Sequence, residues 1–367
     1  MTVAASLLPV AASVRVVELP GLPEKGDVTD WVEAGGAKEQ LEALVSARPA
    51  LDEAKLAELR NRWGGLHSEL PILPPMTREE AARITAELLE TCRGWIRKYV
   101  VVSDQQAMIM AAWILHTYAL DAAETTPYIH ITAPERECGK SRLMETLEAL
   151  AAAPIRSGGM TAAALVRAIE AKKPTIFLDE LDAQLGGDKE YAEVVRGILN
   201  EGFHRRGVVH KCVGQNFDLK AFGVYCPKCF AGIGRLPDTV ASRSMVIEMR
   251  RRLPSESVEP FRQKAVTAAA LPIKRKLGAW AAQRAARLLE TIQPAAIAGL
   301  SDRQNDISEP LLCIAQLAGD GGLQKLTLAL QIVFKAAAAE DGSVGSTLLA
   351  DIRAIFDGGP SGLMERK

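Results

Sequence analysis

Hydrophobic and polar positions follow two alternating periods through the centre of the chain. Short apolar runs that are rich in β-branched residues predict strands at 128–132, 154–157 and 175–180, with a further strand within 222–233. Helical spacing of the apolar residues predicts helices at 140–151, 161–171 and 190–203. This alternation favours an α/β fold in which a mostly parallel sheet is flanked by helices.

The segments on either side of this core have other patterns. Residues 77–120 predict two helices, the first of which begins at a Thr-x-x-Glu capping box, Thr77 to Glu80. Prolines interrupt residues 66–77, which mark a domain boundary. From about residue 260 the pattern is helical and rich in Ala and Leu. Four parts are therefore predicted: an N-terminal segment 1–48, a linker 49–76, a core with its leading helices 77–258, and a helical region 259–367.

Composition narrows the possible partners. The formal net charge of −1 argues against a general polycation, so any binding of nucleic acid must come from local basic patches. Six cysteines and a start without a signal-peptide pattern indicate reduced thiols and a cytoplasmic location. The longest apolar run, 107–120, contains His116 and is short for a bilayer, which favours a buried core helix and no membrane partner.

The stretch "APERECGKS" (133–141) lies between a predicted strand and a predicted helix, as a phosphate-binding loop does. In such a loop, Gly139 lets the backbone approach phosphate closely because it has no Cβ. Lys140 would reach the β- and γ-phosphates, and the Ser141 hydroxyl would bind Mg²⁺. The alternative is a helix start with a chance Gly-Lys-Ser.

Two residues of this loop are unusual for a cofactor-binding loop. Pro134 stands where the first glycine of the pattern is expected, so another residue supplies the bend, but proline has no N–H to donate to phosphate. Cys138 precedes the second glycine and fits as a small filler of the loop. We predict that Pro134 replaces a turn glycine and that the cradle still works.

A pair of acids ends the apolar run "TIFLDE" about forty residues after the loop. Carboxylates at the end of a buried strand are costly unless they are paired or bound to metal. In an ATPase, Asp179 would hold Mg²⁺ through water and Glu180 would act as general base toward the attacking water. Loop and acid pair together predict ATP and Mg²⁺ as cofactors, and hydrolysis rather than binding alone.

The segment "FAGIGRLPDTVASRSMVIEMRRR" (230–252) resembles the Leu-Pro-x-x-[Leu/Val]-x-Ser-Arg segment of AAA+ helicases, particularly the MCM-like branch. The resemblance implies that Arg243 is a finger that enters the ATP site of a neighbouring subunit, and hence that the chain forms a ring. A surface arginine beside the "RRR" run is the alternative. Arg303 is a weaker candidate for a second γ-phosphate arginine, and Asp302 and Asp306 could equally hold it in a local salt bridge.

The motifs as a set resemble phage- and plasmid-encoded helicase-like P-loop ATPases over residues 77–320. This implies an AAA+-like fold that works on single-stranded or forked DNA. The stretch from Lys25 to Trp31 resembles the tail of a Toprim-type primase domain, so that residues 1–48 are predicted to be a primase remnant and a primase partner is implied. Asp27 and Asp30 would be metal ligands in an intact primase site and turn formers on their own.

Residues 204–225 are predicted to form a β-hairpin, with two short strands around 214–216. In the helicases that the chain resembles, a hairpin at this place follows the DNA backbone, and Phe217 would stack on a base. The candidate phosphate contacts are Arg205, Arg206, Lys211 and Lys220. A hairpin whose charges only face solvent is the alternative.

The stretch "CPKC" (226–229) raises the question of a zinc site, with Cys212 and His210 as the other ligands. The pair falls at the start of a predicted buried strand, so that buried free thiols at Cys226 and Cys229 are the default interpretation.

Three functions remain open at this stage. The first is an oligomeric ATPase of the helicase type in DNA replication. The second is a nucleotide-binding assembly or regulatory module without productive unwinding. The third is a small-molecule phosphotransferase, which would need neither Arg243 nor the basic hairpin.

Overall fold

The computed structural model describes residues 37–47, 76–135, 137–157, 160–181, 189–213, 218–232 and 236–340, together with residues 15, 17 and 31. The chain divides into two compact units, 1–72 and 73–367. Within the first unit the structure describes one helix, α1 (Lys38–Ala47). Asp27 and Asp30 lie outside the described residues, so the primase remnant and the four predicted segments stay predictions.

A five-stranded parallel sheet forms the centre of the second unit. Its strands are β1 (Tyr128–Thr132), β2 (Pro154–Ser157), β3 (Thr175–Leu178), β6 (Lys228–Ala231) and β7 (Ser244–Glu248). Their order across the sheet is β2-β3-β6-β1-β7, and every neighbouring pair is parallel. Buried runs without alternation are typical of such sheets, and every residue of β3 and β6 is buried. The α/β fold with a mostly parallel sheet flanked by helices is confirmed.

Ten helices of the second unit accompany this sheet in the part of the chain that the structure describes. They are α2 (Arg78–Tyr99), α3 (Asp104–Tyr118), α4 (Lys140–Glu148), α5 (Ala162–Lys172), α6 (Lys189–Glu201), α7 (Asp238–Ala241), α8 (Gln263–Trp280), α9 (Ala286–Leu289), α10 (Asp302–Leu317) and α11 (Asp320–Glu340). Short 3₁₀ and π segments lie at Leu120–Ala122 and Ala281–Ala285. The region after the sheet is helical as predicted, up to the last described residue.

Helix α3 is the buried core helix that its apolar sequence predicts. It contacts α2, α10 and α11, and its residues from Ala107 to Thr117 are all buried. Its buried histidine, His116, bonds through Nε2 to Thr126 Oγ1 at 2.8 Å. Burial lowers the pKa of His116 to about 3, so the ring is neutral. Within the described residues, no helix is long and apolar enough to cross a membrane.

Helix starts follow the capping residues in the sequence. The Thr77 hydroxyl accepts a hydrogen bond from the Glu80 backbone N–H at 3.2 Å, so α2 begins where the predicted cap places it. Ser103 and Ser301 form reciprocal capping boxes at the starts of α3 and α10. These caps fix the starts of helices that pack in the core and against the sheet.

Two details differ from the predicted elements. Strand β7 was not predicted, because its five residues lie inside the arginine segment and a basic run follows them. Strand β3 ends at Leu178, so both acids follow the strand rather than end it.

Candidate nucleotide-binding site

Helix α4 begins directly after Gly139, which adopts a left-handed conformation with φ 85°. Glycine adopts this conformation without the steric cost that a Cβ imposes. No side chain among the described residues caps the start of α4, and its first turn contains no acid. In contrast, threonine and serine hydroxyls cap the starts of four other helices: Thr77, Ser103, Thr161 and Ser301. The first N–H groups of α4 are therefore available to an anion, which the helix dipole also favours.

The two residues after Gly139 carry the predicted phosphate and metal contacts. Lys140 Nζ donates a hydrogen bond to the carbonyl oxygen of Glu135 at 3.1 Å, so its ammonium group lies over the loop. Ser141 is exposed in the first turn of α4. The Cys138 side chain is only 6% exposed, which agrees with a filler of the loop. Ammonium group and serine hydroxyl thus lie at the uncapped helix start.

The loop bends at a residue other than Pro134. Proline cannot adopt positive φ, and the left-handed residues are Glu137, with φ 62°, and Gly139. Pro134 is exposed and lines a cavity of about 630 Å³ at the carboxyl ends of β1 and β7. Among the described residues of the loop, the left-handed turns therefore lie at Glu137 and Gly139.

This cavity is a second part of the site that sequence reasoning missed. Apolar side chains of Val100–Val102 and Met249 line it, together with Gln106, whose amide donates to the Glu248 carbonyl at 2.9 Å. Ligands of open α/β sheets bind outside the carboxyl ends of the strands, and ligand pockets measure about 300–1,000 Å³. The charged residues Arg97, Glu248, Arg250 and Glu256 also line the cavity. Its walls come from segments that are far apart in sequence, so no local pattern indicates it.

Asp179 and Glu180 follow β3 at the same edge of the sheet as the phosphate loop, with β6 between β3 and β1. The Glu180 backbone N–H donates to Asp179 Oδ1 at 3.2 Å. Glu180 is exposed and has φ 54°, a left-handed conformation that costs a residue with a side chain about 1–3 kcal/mol. Such strain is concentrated at functional sites. Glu180 is one of four described residues other than glycine that have positive φ, with Glu137, Ala153 and Lys173.

Arg156 on β2 is a further residue of this site that was not predicted. Its Nη2 lies 2.9 Å from Asp179 Oδ2, and its Nη1 lies 3.5 Å from Glu145 Oε1 and 3.6 Å from Glu148 Oε2. Burial raises the pKa of Glu148 despite the attraction of Arg156. The only feature of the sequence that could have indicated Arg156 is that it is a charged residue in a short predicted strand. Its partner could not be predicted, because the contact depends on β2 lying beside β3.

These residues fit ATP with Mg²⁺. The donors available to phosphate are the N–H groups of an uncapped helix and a lysine ammonium group, and Ser141 and Asp179 offer a hydroxyl and a carboxylate that would hold a metal. Mg²⁺ is usually held by one or two carboxylates and by substrate phosphates rather than by an all-protein cage. The described residues correspondingly contain no group of three or more His, Cys, Asp or Glu side chains that could hold a metal.

The Cys-x-x-Cys pair is buried, which supports the interpretation as free thiols. Cys226 and Cys229 are fully buried, and burial raises the pKa of both thiols. Cys212 is exposed on strand β4 (Val208–Val213), and His210 is exposed on the same strand. Lys228, between the paired cysteines, is buried and donates to three backbone carbonyls, those of Gly202, Val224 and Cys226, at 3.0–3.3 Å.

Arg243 lies at the opposite edge of the sheet from the phosphate loop. Its carbonyl accepts from the Tyr128 N–H at 3.0 Å, whereas the loop follows Thr132, the last residue of β1. Five residues of strand separate these edges by about 15 Å, since a strand rises about 3.3 Å per residue. The Arg243 side chain therefore cannot reach the phosphate loop of its own chain.

A second arginine shares the surroundings of Arg243. The guanidinium groups of Arg243 and Arg303 lie 5.8 and 5.5 Å from the ring of Phe203. Burial, and then the charge of Arg303, lower the pKa of Arg243. Arg243 Nη1 donates to the Thr239 carbonyl, while its buried Nε has no partner among the described residues. Arg303 lies 3.5 Å from Asp306. This contact is the local salt bridge that the sequence left open as the alternative role of Arg303.

The predicted hairpin exists as strands β4 and β5 (Asp218–Gly223), which pair antiparallel outside the main sheet. Lys211 and Lys220 are directly opposite each other in the register. Arg205 and Arg206 precede β4, and Arg205 lies 3.5 Å from Glu124. Phe217 lies outside the described residues. The four predicted DNA contacts therefore fall into a lysine pair on the hairpin and two arginines at its base.

Comparison with protein families and curated proteins gives two partial matches. Residues 248–366 match a family described as "Protein of unknown function (DUF3631)". A stretch of 114 residues, 31% of the chain, is 32% identical to the "Uncharacterized 28.9 kDa protein in xis 5'region" of Saccharopolyspora erythraea. The match covers 42% of that protein, so the chain spans less than half of its length.

Comparison with solved structures gives matches that cover much of the chain with TM-scores below 0.5. The C-terminal region of NrS-1, in an apo form, matches with a TM-score of 0.33 and 11% identity, over 64% of this chain and 61% of that one. JCV helicase bound to an inhibitor matches with a TM-score of 0.28 and 12% identity, over 76% of this chain and 75% of that one.

Proposed function

We propose that this chain is a Mg²⁺-dependent ATPase of the helicase or translocase type, which acts on DNA as an oligomer in the cytoplasm. One observation carries the proposal. The uncapped start of α4, with Gly139, Lys140 and Ser141, lies at the same sheet edge as the acid pair Asp179–Glu180, of which Glu180 has positive φ. Phosphate donors, metal ligands and a general base are the groups that hydrolysis of a nucleoside triphosphate requires.

Each residue has a distinct role in this proposal. The N–H groups of α4 and the Lys140 ammonium group hold the phosphates, and the cavity beside Pro134 and Met249 receives the base. Mg²⁺, when bound, offsets the negative charge of the phosphates. Ser141 and Asp179 are the residues that would hold it. Glu180 is exposed and accepts the proton of the attacking water.

A Glu180→Gln variant tests the proposed base. Glutamine keeps the size of the side chain but cannot accept the proton, so the rate of ATP hydrolysis should fall about a hundredfold. ATP binding, measured by calorimetry in the presence of Mg²⁺, should change little. Equal rates of hydrolysis by the variant and the unmodified protein would show that Glu180 is not the base. If the unmodified protein hydrolyses no ATP, with or without DNA, the ATPase proposal is refuted.

The hairpin supports DNA as the partner. Two lysines directly opposite each other on a hairpin repel, and a phosphate backbone relieves this repulsion. Single-stranded or forked DNA fits a projecting hairpin, and a primase partner remains part of the proposal through the N-terminal resemblance.

A Lys211→Ala/Lys220→Ala variant should bind single-stranded DNA more weakly, by about tenfold at low salt. Each phosphate contact releases counterions, so the slope of log affinity against log salt should also become shallower by about one to two. Fluorescence anisotropy over a salt series measures both quantities. The control is Lys276→Ala, which removes an exposed lysine of α8. Equal slopes in the hairpin variant and the control would place the DNA contacts elsewhere.

Arg243 supports oligomerisation. An arginine that cannot reach the phosphates of its own chain can do so only in a neighbouring copy, and a head-to-tail contact of this kind generates rings. Arg303 lies beside it and belongs to the same positive cluster. An anion would offset the repulsion between the two guanidinium groups.

A nucleotide-binding module without unwinding is the second candidate. The ion pair between Arg156 and Asp179 favours it, because this pair occupies a carboxylate that the metal needs. A strand-displacement assay beside the hydrolysis assay separates the two candidates. Hydrolysis without displacement of DNA would favour the module.

A further inference from the structure

Arg156 lies between two sets of carboxylates. On one side its Nη2 is 2.9 Å from Asp179, and on the other its Nη1 is 3.5 Å from Glu145 and 3.6 Å from Glu148 of α4. The Arg156 side chain is 27% exposed, so water screens these interactions only in part. The guanidinium group of Arg156 thus links Asp179, which follows β3, to α4, the helix that begins at the phosphate loop.

This position conflicts with metal binding at Asp179. A cation that approaches Asp179 meets the positive charge of Arg156 and competes with it for the same carboxylate oxygen. Binding of the metal is therefore weakened unless Arg156 moves.

The structure offers a place to which Arg156 can move. A cavity of about 520 Å³ lies against Arg156 on the side of α4, with Glu145, Glu148 and Lys274 in its wall. Glu145 already has a partner, because Arg142 lies 2.7 Å from it. Glu148 lies 3.6 Å from Arg156 and is attracted less strongly by Lys274, so a closer approach of Arg156 is open to it.

We infer that Arg156 is a built-in counter-ion, which occupies Asp179 in the empty site and transfers to Glu148 when a divalent cation binds with the nucleotide. The inference rests on the proposed ATP site and assigns Arg156 a positioning role in it. It also connects the metal site to α8, because residues of that helix line the cavity that receives the guanidinium group. Arg156 itself takes no part in the chemical step.

The test measures binding of a fluorescent ATP analogue at increasing Mg²⁺ concentration, with an arm in EDTA. In Arg156→Gln, the Mg²⁺ concentration for half-maximal binding should fall about fivefold, because Asp179 no longer has a competing cation. In Glu148→Gln it should rise about twofold, because the alternative partner of Arg156 is weaker. Binding in EDTA should be the same in all three proteins.

A double variant and a surface control complete the test. Arg156→Gln/Glu148→Gln should match Arg156→Gln alone, since Glu148 acts through Arg156. Arg83→Gln removes an exposed arginine that is paired with Glu87 on α2, and it should match the unmodified protein.

The outcomes separate this inference from the proposed function. An unchanged or higher Mg²⁺ concentration for half-maximal binding in Arg156→Gln overturns the inference. Arg156 would then support metal binding at Asp179 or have no effect on it. If Arg156→Gln does not fold, an unchanged or lower Mg²⁺ requirement in Glu148→Gln overturns it as well. Absence of nucleotide binding by the unmodified protein overturns the proposed function together with the inference.

Discussion

A Lys140→Ala variant should lose ATP hydrolysis, with kcat/KM lower by about a thousandfold, because a charged donor to the phosphates contributes about a hundredfold to a thousandfold in rate alone. Lys140 bends over the loop toward the Glu135 carbonyl, so its ammonium group is already at the position where phosphate oxygens would replace that carbonyl. Phosphate release in the presence of Mg²⁺, with and without single-stranded DNA, measures the loss.

Lys276→Ala is the matched control for this variant. It removes an exposed lysine on α8 that pairs with Glu87 on α2, and hydrolysis should remain as in the unmodified protein. Thermal unfolding should distinguish neither variant, because Lys276 is exposed and Lys140 is partly exposed at the first residue of α4, and substitutions at the surface change stability little. Full hydrolysis by Lys140→Ala would mean that the Gly-Lys-Ser at the start of α4 is a chance tripeptide.

Local patterns in the sequence predicted the elements that position this site. The apolar run before "APERECGKS" and the helical pattern after it predict β1 and α4, which the structure contains, and Thr77 predicts the start of α2. Each of these features leaves a pattern within a short window of sequence, although β1 itself pairs with β6 and β7, about a hundred positions later. Strand β7 was not predicted, because its apolar run is short and lies within an arginine-rich segment.

The missed parts of the site depend on contacts between distant segments. Arg156 becomes a partner of Asp179 only because β2 lies beside β3 in the sheet. The sequence of a single strand does not predict which strands will be its neighbours. The cavity beside Pro134 likewise joins Val100–Val102 to Met249, nearly 150 positions later. The bend at Glu137 was missed for another reason, since nothing in a glutamate indicates positive φ.

The Arg243→Ala variant should lose about a thousandfold in the rate of ATP hydrolysis while still binding ATP, because an arginine that offsets charge on the transferred phosphoryl group contributes at least this much. The rate of the unmodified protein should itself depend on oligomer formation, because Arg243 acts on a neighbouring copy. Under dilute conditions, in which the chain is monomeric by light scattering, the unmodified protein should be as slow as the variant. An unchanged rate in the variant would favour a small-molecule phosphotransferase on the same scaffold.

Mixing two inactive variants shows whether Arg243 acts on a neighbouring copy. Arg243→Ala keeps its own phosphate loop and acid pair, and Glu180→Gln keeps its arginine, so an equal mixture contains active sites wherever the first receives the arginine of the second. Random assembly of a head-to-tail ring makes about a quarter of the interfaces complete, so activity should recover to that fraction. An Arg243 that served its own chain would give no recovery at any ratio. The sheet excludes that arrangement, because Arg243 joins the start of β1 through Tyr128 and the phosphate loop follows the end of the same strand.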